Sequence, residues 1–228
     1  MLTNNTKVNI KNIGKNTFMK IPKIIHQVWV GNLPMPKKWM RTWKEKNTDW
    51  KYILWGNDRI FNRKWINQKH IDFYKNKKTW WGIADIVRYE ILYEFGGYMP
   101  GTDSECLNSI DNLFNENGFD CYTVYSNERI RKGHIAPIMA CTKNNPLLKA
   151  MIEDLANRKR IGLYPVWREV GNLFTRQMTE KTEYKNIKIY PSYYFIPEHF
   201  MGDKYTGKGK IYARHHWGTT LKKYNEGV

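Results

Sequence analysis

Two charged residues stand three positions apart in the segment Ala84-Asp85-Ile86-Val87-Arg88-Tyr89. In a helix, Asp85 and Arg88 would project from neighbouring positions on one face. Such a pair is most often a surface salt bridge, worth under about 1 kcal/mol. Whether this pair does more than that depends on the residues that follow it in the chain.

Glycines and acids follow the pair directly, in the segment Gly96-Gly97-Tyr98-Met99-Pro100-Gly101-Thr102-Asp103-Ser104-Glu105. The glycines allow a close backbone approach, and we expect Asp103 and Glu105 to lie on a loop that leaves a strand. Carboxylates there would suit a hard divalent cation that also binds a diphosphate. The cation would neutralise charge on a leaving diphosphate. A solvated acidic turn has the same composition, so both interpretations stay open on these residues alone.

A family resemblance favours the functional interpretation. The segment Ile21-Pro22-Lys23-Ile24-Ile25-His26-Gln27-Val28-Trp29 with Gly31, and the segment 85–92 ahead of Gly96-Gly97, closely resemble the DXD-motif sugar-binding glycosyltransferases. This is glycosyltransferase family 32, related to the catalytic domains of large clostridial glucosylating toxins. The resemblance is strong over residues 20–107 and continues more thinly to the Ala213–Trp217 segment.

The resemblance implies a GT-A fold, a nucleotide-sugar donor, Mn²⁺ or Mg²⁺, and retention of anomeric configuration. Position by position, Asp85 and Arg88 match the pair that holds the donor sugar, and Trp29 matches the aromatic residue that stacks on the base. An aromatic residue in the core of a strand is an equal alternative for Trp29. The donor-site residues implied are Gln27, Trp29, Asp85, Arg88, Gly97, Thr102 and Asp103.

The metal site implied by the resemblance centres on Asp103, the second Asp of the motif. His215 or His216 matches a histidine that closes over the metal and the diphosphate, and a neutral imidazole is a plausible ligand for Mn²⁺. The sequence does not choose between these two neighbours. Thr219 stands near the position of a small hydroxyl residue that lies beside the phosphates.

The chain departs from the family pattern at several positions. Gly101 replaces the first Asp of the motif, and Met99 stands where a Tyr is expected. Glu105 would lie on the same side as Asp103 if the segment were extended, and so would supply the missing carboxylate. Two further segments of the family are altered, to Gly171-Asn172 and Thr219-Thr220.

Hydrophobic patterning places these residues on alternating strands and helices. The clearest helix is 80–95, where apolar residues recur every four positions between Thr79, a suitable N-cap, and a closing glycine pair. Asn145 and Pro146 predict the start of a second helix. We expect a polar tail over 1–19 and then one α/β domain of the GT-A type over 20–228, with a mixed central sheet flanked by helices. The other predicted elements are a helix at 37–46 and strands at 23–30, 52–55, 121–125, 135–142, 187–190 and 211–216.

Composition limits where the protein works and what it contacts. The three cysteines show no metal-type or disulfide spacing, and we find no signal peptide or apolar run of membrane-spanning length. We therefore expect a soluble, cytoplasmic protein. The net charge is +17, and residues 1–78 alone carry 18 Lys and Arg against 4 acids. That basic third would suit a polyanion such as nucleic acid or an anionic membrane surface, or it would only keep the chain soluble.

Three functions are consistent with these features. The first is a hexosyltransferase that moves a sugar from a uridine or guanosine diphosphate donor to a hydroxyl acceptor such as a glycan. The second, favoured by Gly101 and Met99, is a catalytically impaired GT-A binding module. The third is a sugar transferase acting on nucleic acid, bound by basic residues and aromatic rings. The rings available for it in the basic third are Trp39, Trp43, Trp50, Trp55 and Trp65.

Overall fold

The computed structural model describes residues 20–228. The tail predicted over 1–19 lies outside the described residues. A seven-stranded mixed sheet runs through the centre in the order β2-β1-β3-β7-β5-β6, with β8 also paired to β5. Its strands are β1 Ile24–Val28, β2 Lys51–Trp55, β3 Gly97–Met99, β5 Cys121–Asn127, β6 Arg131–Ile135, β7 Met139–Cys141 and β8 Ile187–Tyr190. A separate two-stranded ribbon pairs β4 Ser104–Cys106 with β9 Ala213–His215.

Strand direction explains where a ligand site can form. β1 runs parallel to both β2 and β3, so the carboxyl ends of these three strands meet at one edge of the sheet. β7 is antiparallel to β3 and to β5, which makes the sheet mixed, as predicted. Ligands of open α/β sheets bind outside the carboxyl ends of parallel strands. The segments that leave β1 and β3 therefore occupy the expected position of a site.

Helices cover the sheet. The α-helices are α1 Lys37–Lys46, α2 Asn57–Phe61, α3 Gln68–Asn76, α4 Trp80–Phe95, α5 Pro146–Asn157, α6 Val166–Glu169, α7 Asn172–Lys181 and α8 Gly218–Leu221, with 3-10 turns at Ser192–Tyr194 and Tyr224–Gly227. α1 and α4 have the predicted bounds, and α5 begins as predicted because the Asn145 side chain accepts hydrogen bonds from the next turn. Thr79 stands at the N-cap position of α4 but makes no capping bond, since its hydroxyl donates to the Lys77 carbonyl oxygen.

Two hydrophobic cores lie against the sheet. The larger core holds most of α4, whose Ile83, Ile86, Val87 and Ile91 are fully buried together with residues of α3, α5 and α7. The second core is rich in aromatic rings and includes Trp43 and Tyr98. Because α4 is fixed by burial on most of its surface, its remaining polar residues are held in place. Among the described residues, no helix combines the length and the apolar character needed to cross a bilayer.

The tryptophans of the basic third belong to these cores. Trp39, Trp43, Trp50, Trp55 and Trp65 are all buried. A nucleic-acid base could not stack on them without unfolding the core, so the role in base stacking that the sequence allowed them is wrong. The physical reason is that an aromatic ring stabilises the folded protein most when it is removed from water. Their spacing along the chain reflects packing and not a binding surface.

Candidate active site

A cavity of about 1300 Å³ opens at the carboxyl ends of β1 and β3. Its walls come from the residues after β1, the first half of α4, the segment 99–103, the loop before α7 and the C-terminal segment 215–225. Residues far apart in the chain are thus brought to one place by the parallel pairing of β1 with β3. Of the residues predicted to form the donor site, Trp29, Asp85, Arg88, Thr102 and Asp103 line this cavity, as does Thr219.

The Asp85–Arg88 pair faces the cavity from α4. Arg88 Nη1 donates to Asp85 Oδ1 at 2.8 Å, and the two side chains are only 15% (Asp85) and 11% (Arg88) exposed. Burial raises the pKa of Asp85 above its ordinary value, although Arg88 partly offsets this. Arg88 Nε is buried without a protein partner. The pair is therefore not an exposed surface salt bridge, and it retains hydrogen-bonding capacity for a ligand.

Gly171 closes the site against Asp85. A Cβ atom at this position would lie 2.9 Å from Asp85 Oδ2 and 2.8 Å from the Trp167 Cα atom. No larger residue fits there without displacing the carboxylate. The glycine thus allows the segment before α7 to pack directly over the acid, and Asn172 beside it also lines the cavity.

Asp103 forms the second polar group of the cavity. Its Oδ1 lies 3.2 Å from His215 Nε2, and its Oδ2 accepts a hydrogen bond from the Gly218 backbone at 2.8 Å. Burial raises the pKa of Asp103, but His215 and the hydrogen bonds from His215 and Gly218 outweigh burial and hold that pKa below its ordinary value. The carboxylate is therefore kept ionised inside a largely closed site.

Glu105 and His216 lie away from the cavity. Their side chains pair with each other at 3.3 Å, and the His216 ring stacks on Trp39 with the centroids 4.1 Å apart. Neither residue lines the cavity. The prediction that Glu105 replaces the missing carboxylate is wrong, because Thr102 and Asp103 form a turn and not an extended strand, so alternation along the segment does not hold. Of the two adjacent histidines, His215 is the one at the site.

Gly101 lies directly against the Asp103–His215 pair. A Cβ atom on Gly101 would be 3.0 Å from Asp103 Oδ1 and 3.6 Å from His215 Nε2. The position is therefore oriented so that a carboxylate there would share the site with Asp103. The chain has a glycine instead, and the Gly101 carbonyl oxygen accepts a hydrogen bond from the Ser104 hydroxyl at 2.5 Å.

An aromatic pair forms another wall. Trp29 is half-buried, and its indole donates to the Leu33 carbonyl oxygen at 3.1 Å. Tyr224 meets it edge to face, with the ring centroids 4.9 Å apart. Trp29 is thus a cavity aromatic and not a core aromatic. The sequence did not point to Tyr224, because its approach depends on the path of the C-terminal segment and not on a local pattern.

Two residues of the predicted donor site lie elsewhere. Gln27 is fully buried in β1, where its side-chain oxygen accepts from the Tyr52 hydroxyl at 2.6 Å. Gly97 is buried in β3, and a Cβ atom there would lie 2.5 Å from the Ile24 carbonyl oxygen. Their assignment to the donor site is wrong, since neither lines the cavity. Gly97 is required by the close pairing of β1 with β3.

The cavity offers a small donor set for a cation. Over residues 20–228, no group of three or more His, Cys, Asp or Glu side chains is arranged to hold a metal ion. Asp103 and His215, by contrast, present one carboxylate and one imidazole to the cavity. Two protein ligands suit a cation that takes its remaining ligands from phosphate and water. Mn²⁺ and Mg²⁺ both fit that description.

Comparison with known proteins relates the chain to sugar transferases. Residues 36–120 match the family described as "glycosyltransferase sugar-binding region containing DXD motif". Inositol phosphoceramide mannosyltransferase 3 of Schizosaccharomyces pombe is 26% identical over 90% of this chain and 62% of its own length. Glycosyltransferase L373 of Acanthamoeba polyphaga mimivirus is 24% identical over 81% of this chain and 76% of its own. The chain thus spans less than two thirds of the length of that mannosyltransferase.

A solved structure is similar in fold. The PaToxG glycosyltransferase superposes with a TM-score of 0.60 over 72% of this chain and 70% of its own, at 18% identity. The predicted GT-A-type fold is confirmed by this similarity and by the mixed sheet. The matched segment 36–120 contains Asp85, Arg88 and Asp103, so the polar groups of the cavity fall within the family region.

Proposed function

We propose that this chain, whose residues 36–120 match the DXD-containing sugar-binding region of glycosyltransferases, is a transferase that uses a nucleotide-diphosphate sugar. It would move a hexose from a UDP- or GDP-linked donor to a hydroxyl acceptor, such as a glycan, with retention of configuration. One observation carries the proposal: a single cavity joins the Asp85–Arg88 pair with the Asp103–His215 pair. A donor has both a sugar and a diphosphate to bind, and the cavity has one polar pair for each.

Each wall has a proposed role. Trp29 stacks on the base, and Tyr224 lies across from it as a second aromatic wall. Asp85 accepts hydrogen bonds from sugar hydroxyls while Arg88 fixes the carboxylate and donates through its free Nε. Charge-assisted bonds of this kind are strong in a buried site. Binding of the base, which does not itself react, would supply free energy that holds the sugar in the orientation needed for reaction.

The diphosphate is proposed to lie beside Asp103 and His215. A divalent cation bound there supplies charge neutralisation for the leaving phosphates. Asp103 would hold it through a carboxylate that the Gly218 backbone and His215 already orient. His215 would contribute through its imidazole, which lies beside the same carboxylate. Thr219 lines the same cavity, and its hydroxyl, which is hydrogen-bonded to the Tyr224 hydroxyl, would contact phosphate.

Retention without a protein nucleophile agrees with the acids present. Among the described residues that line the cavity, the carboxylates are Asp85 and Asp103, and both are engaged. A leaving phosphate can accept the proton of the acceptor hydroxyl, so a further acid is not required. The bond from sugar to phosphate breaks, the bond from sugar to acceptor oxygen forms, and the proton passes to the phosphate.

Relatives suggest which donor to test first. The named mannosyltransferases of Schizosaccharomyces pombe favour mannose as the transferred sugar. The proposal therefore predicts that a mannose donor is among the substrates in a panel of UDP- and GDP-sugars with Mn²⁺. Release of free sugar measures slow hydrolysis in the absence of an acceptor.

A matched pair of variants tests the assignment. We expect Asp85→Asn to lower donor hydrolysis by about 10- to 100-fold, as loss of a charged hydrogen-bond partner does. The exposed Asp58→Asn variant should behave as the unaltered protein. Absence of hydrolysis and of donor binding across the panel would contradict the proposal. Loss of activity in both variants would show that the effect is not specific to the cavity.

A second candidate function follows from Gly101. Without the first motif carboxylate, the domain would bind a nucleotide or glycan without turning it over. Calorimetry separates the two: a binding module gives nucleotide binding that is independent of Mn²⁺ and no sugar release. An active transferase gives metal-dependent binding together with turnover.

A further inference from the structure

An exposed apolar loop stands beside the cavity. We call residues 162–168, Gly-Leu-Tyr-Pro-Val-Trp-Arg, the apolar loop. Its Leu163, Tyr164 and Trp167 are 58%, 53% and 46% exposed, although each is large and apolar. Single exposed apolar residues are ordinary, but three within five positions form a patch of the kind that marks an interaction site.

The loop is held in this exposed position by the buried carboxylate of Glu169. That carboxylate accepts hydrogen bonds from the Gly162 backbone at 2.6 Å and the Leu163 backbone at 3.1 Å. It also accepts from the Tyr74 hydroxyl at 3.1 Å. Ile161 is buried immediately before the loop. The backbone of the loop is therefore held by these hydrogen bonds while its apolar side chains remain exposed to solvent.

Arginines surround the loop. A smaller cavity of about 340 Å³ is lined by Arg158, Arg160, Leu163, Tyr164, Arg168, Glu169 and Gln177. The Glu169 carboxylate in this lining is already engaged by the hydrogen bonds that hold the loop. Arg158 is committed to Asp154 through two hydrogen bonds. Arg160 and Arg168 have no carboxylate partner within residues 20–228. The Arg168 guanidinium lies 4.4 Å from the Tyr164 ring centroid. This pocket therefore has free guanidinium groups, which bind phosphate in a bidentate manner.

The lining of the main cavity includes further exposed residues of the same two kinds. Leu33 and Trp81 are exposed large apolar residues that line it. Lys77 and Lys222 line it as well and are exposed. The two acids that line the cavity among the described residues are already paired with Arg88 and His215.

We propose that the apolar loop, together with the arginines beside it, docks on an anionic phospholipid bilayer. Leu163 and Trp167 enter the interfacial region, where Trp and Tyr are favoured. Arg160 and Arg168 bind lipid phosphate, and the exposed lysines that line the main cavity add electrostatic attraction. This docking surface does not rest on the proposed transferase function. This docking surface is not the basic first third of the chain, residues 1–78, which the charge distribution alone indicates as a region that would suit a polyanion.

Charge and shape together favour a bilayer as the partner. A nucleic acid would be attracted by the arginines, but an exposed leucine gains nothing from a phosphate backbone. A glycan would stack on Tyr164 or Trp167 without using Leu163 or the free guanidinium groups. Only a surface that offers acyl chains just below anionic phosphates satisfies both kinds of residue at once.

Co-sedimentation with vesicles tests the docking surface directly. Vesicles of phosphatidylcholine are compared with vesicles that also contain phosphatidylserine, at low and at moderate salt. We expect binding only to the anionic vesicles, and a loss of about fivefold or more in partitioning for each of Arg160→Gln and Leu163→Ser. The matched exposed variants Arg59→Gln and Ile66→Ser lie elsewhere and should partition as the unaltered protein.

Donor hydrolysis in solution separates this proposal from the proposed function. Arg160 and Leu163 do not line the main cavity, so both variants should hydrolyse donor normally while losing vesicle binding. Equal binding to neutral and anionic vesicles would overturn the proposal, as would no binding to either. Salt-sensitive binding to RNA that Leu163→Ser leaves unchanged, without vesicle binding, would assign the arginines to nucleic acid instead. Normal vesicle binding by a protein that never hydrolyses a donor would retain the docking surface and remove only the transferase.

Discussion

Two carboxylate–histidine pairs with nearly equal distances lie at the β4–β9 ribbon, where Asp103 directly precedes β4 and His216 directly follows β9. On one side, Asp103 lies 3.2 Å from His215, and on the other, Glu105 lies 3.3 Å from His216. The first pair faces the main cavity, and its carboxylate also accepts from the Gly218 backbone. The second faces α1, where its imidazole stacks on Trp39. The same chemical pair thus lines a cavity on one face and packs against a helix on the other.

The surroundings explain this difference. The Asp103–His215 pair adjoins the space beside Gly101 and the wall of a cavity. His216 has one ring face against an indole, an arrangement that contributes packing free energy but leaves that face inaccessible. A short distance between an acid and an imidazole therefore does not identify a catalytic group. Access to a cavity is what distinguishes the two pairs, and its importance can be tested residue by residue.

The largest contrast should come from the two acids. We expect Asp103→Asn to reduce Mn²⁺-dependent donor hydrolysis by about two to three orders of magnitude, because the variant loses the charge that holds the cation. Glu105→Gln should stay within about threefold of the unaltered protein, since its carboxylate does not reach the cavity. Steady-state sugar release measures both. Similar losses in the two variants would mean that the ribbon acts as one structural unit.

A third histidine tests what burial alone does to an imidazole. His26 is fully buried in β1, accepts from the Trp55 indole at 3.1 Å and donates to the Gly96 carbonyl oxygen at 2.9 Å. Burial lowers its pKa to about 4, although the Gly96 bond partly offsets the effect. The unfolded chain binds a proton at about pH 6.5, so the folded state is disfavoured as the pH falls from 6.5 towards 4.

We expect this histidine to remove up to about 3 kcal/mol from the free energy of unfolding across that pH window. Urea unfolding at a series of pH values measures the slope. The His26→Gln variant should be less stable at neutral pH but should lack this part of the pH dependence. An unchanged slope in the variant would mean that carboxylates dominate acid unfolding and that His26 is protonated without cost.

Strong local patterns were sufficient to predict the main elements. The helix predicted at 80–95 is α4, because its apolar period and closing glycine act locally. The strand predicted at 135–142 is wrong in part: β6 ends at Ile135, and β7 begins at Met139. Pro137 lies between them and cannot donate to a strand ladder, which explains the break. The short helices α3 and α7 were missed, since tertiary burial stabilises them more than their sequence pattern does.

The site was predictable where the residues form a motif and not where tertiary structure alone assembles it. Asp85, Arg88 and Asp103, predicted as donor-site residues from their spacing and the resemblance, all line the cavity. The sequence could not choose between His215 and His216. The alternation expected for an extended strand places Asp103 and Glu105 on one side, but the turn at Thr102 and Asp103 separates them, so that each carboxylate meets a different histidine. Tyr224 reaches the site after left-handed residues at Trp217 and Lys222, with φ of 57° and 55°, and no sequence period encodes such a path.

The two histidines of the ribbon should differ in activity per folded molecule. His215→Ala is expected to lower that activity, measured as donor hydrolysis, by about tenfold or more. It should also lose stability, because His215 pairs with the buried Asp103 and packs on the Trp217 ring. His216→Ala removes the stack on Trp39 and the contact with Glu105, so it should lose about 1 to 2 kcal/mol of stability. Activity per folded molecule should be preserved in that variant. Thermal unfolding and single-turnover hydrolysis on the same samples would reveal any exchange of these roles.

The smallest expected effect concerns Gly101, the residue that separates this cavity from a site with two carboxylates. Its φ is not in the left-handed region, so an aspartate can adopt the backbone conformation there. We expect Gly101→Asp to lower stability in chelator by about 1 kcal/mol, since two carboxylates would repel each other. Mn²⁺ should restore that stability and raise hydrolysis a few-fold, because a second carboxylate adds a ligand.

Gly101→Asn is the matched control, since it has the same size without the charge. The metal-dependent recovery should appear in Gly101→Asp and be absent from Gly101→Asn, as measured by thermal unfolding with and without Mn²⁺. If both variants responded alike to the ion, the Asp103–His215 side of the ribbon would have no more affinity for a cation than the Glu105–His216 side. The difference between the two faces would then lie in access to the cavity alone, and the cation would have to bind through the diphosphate.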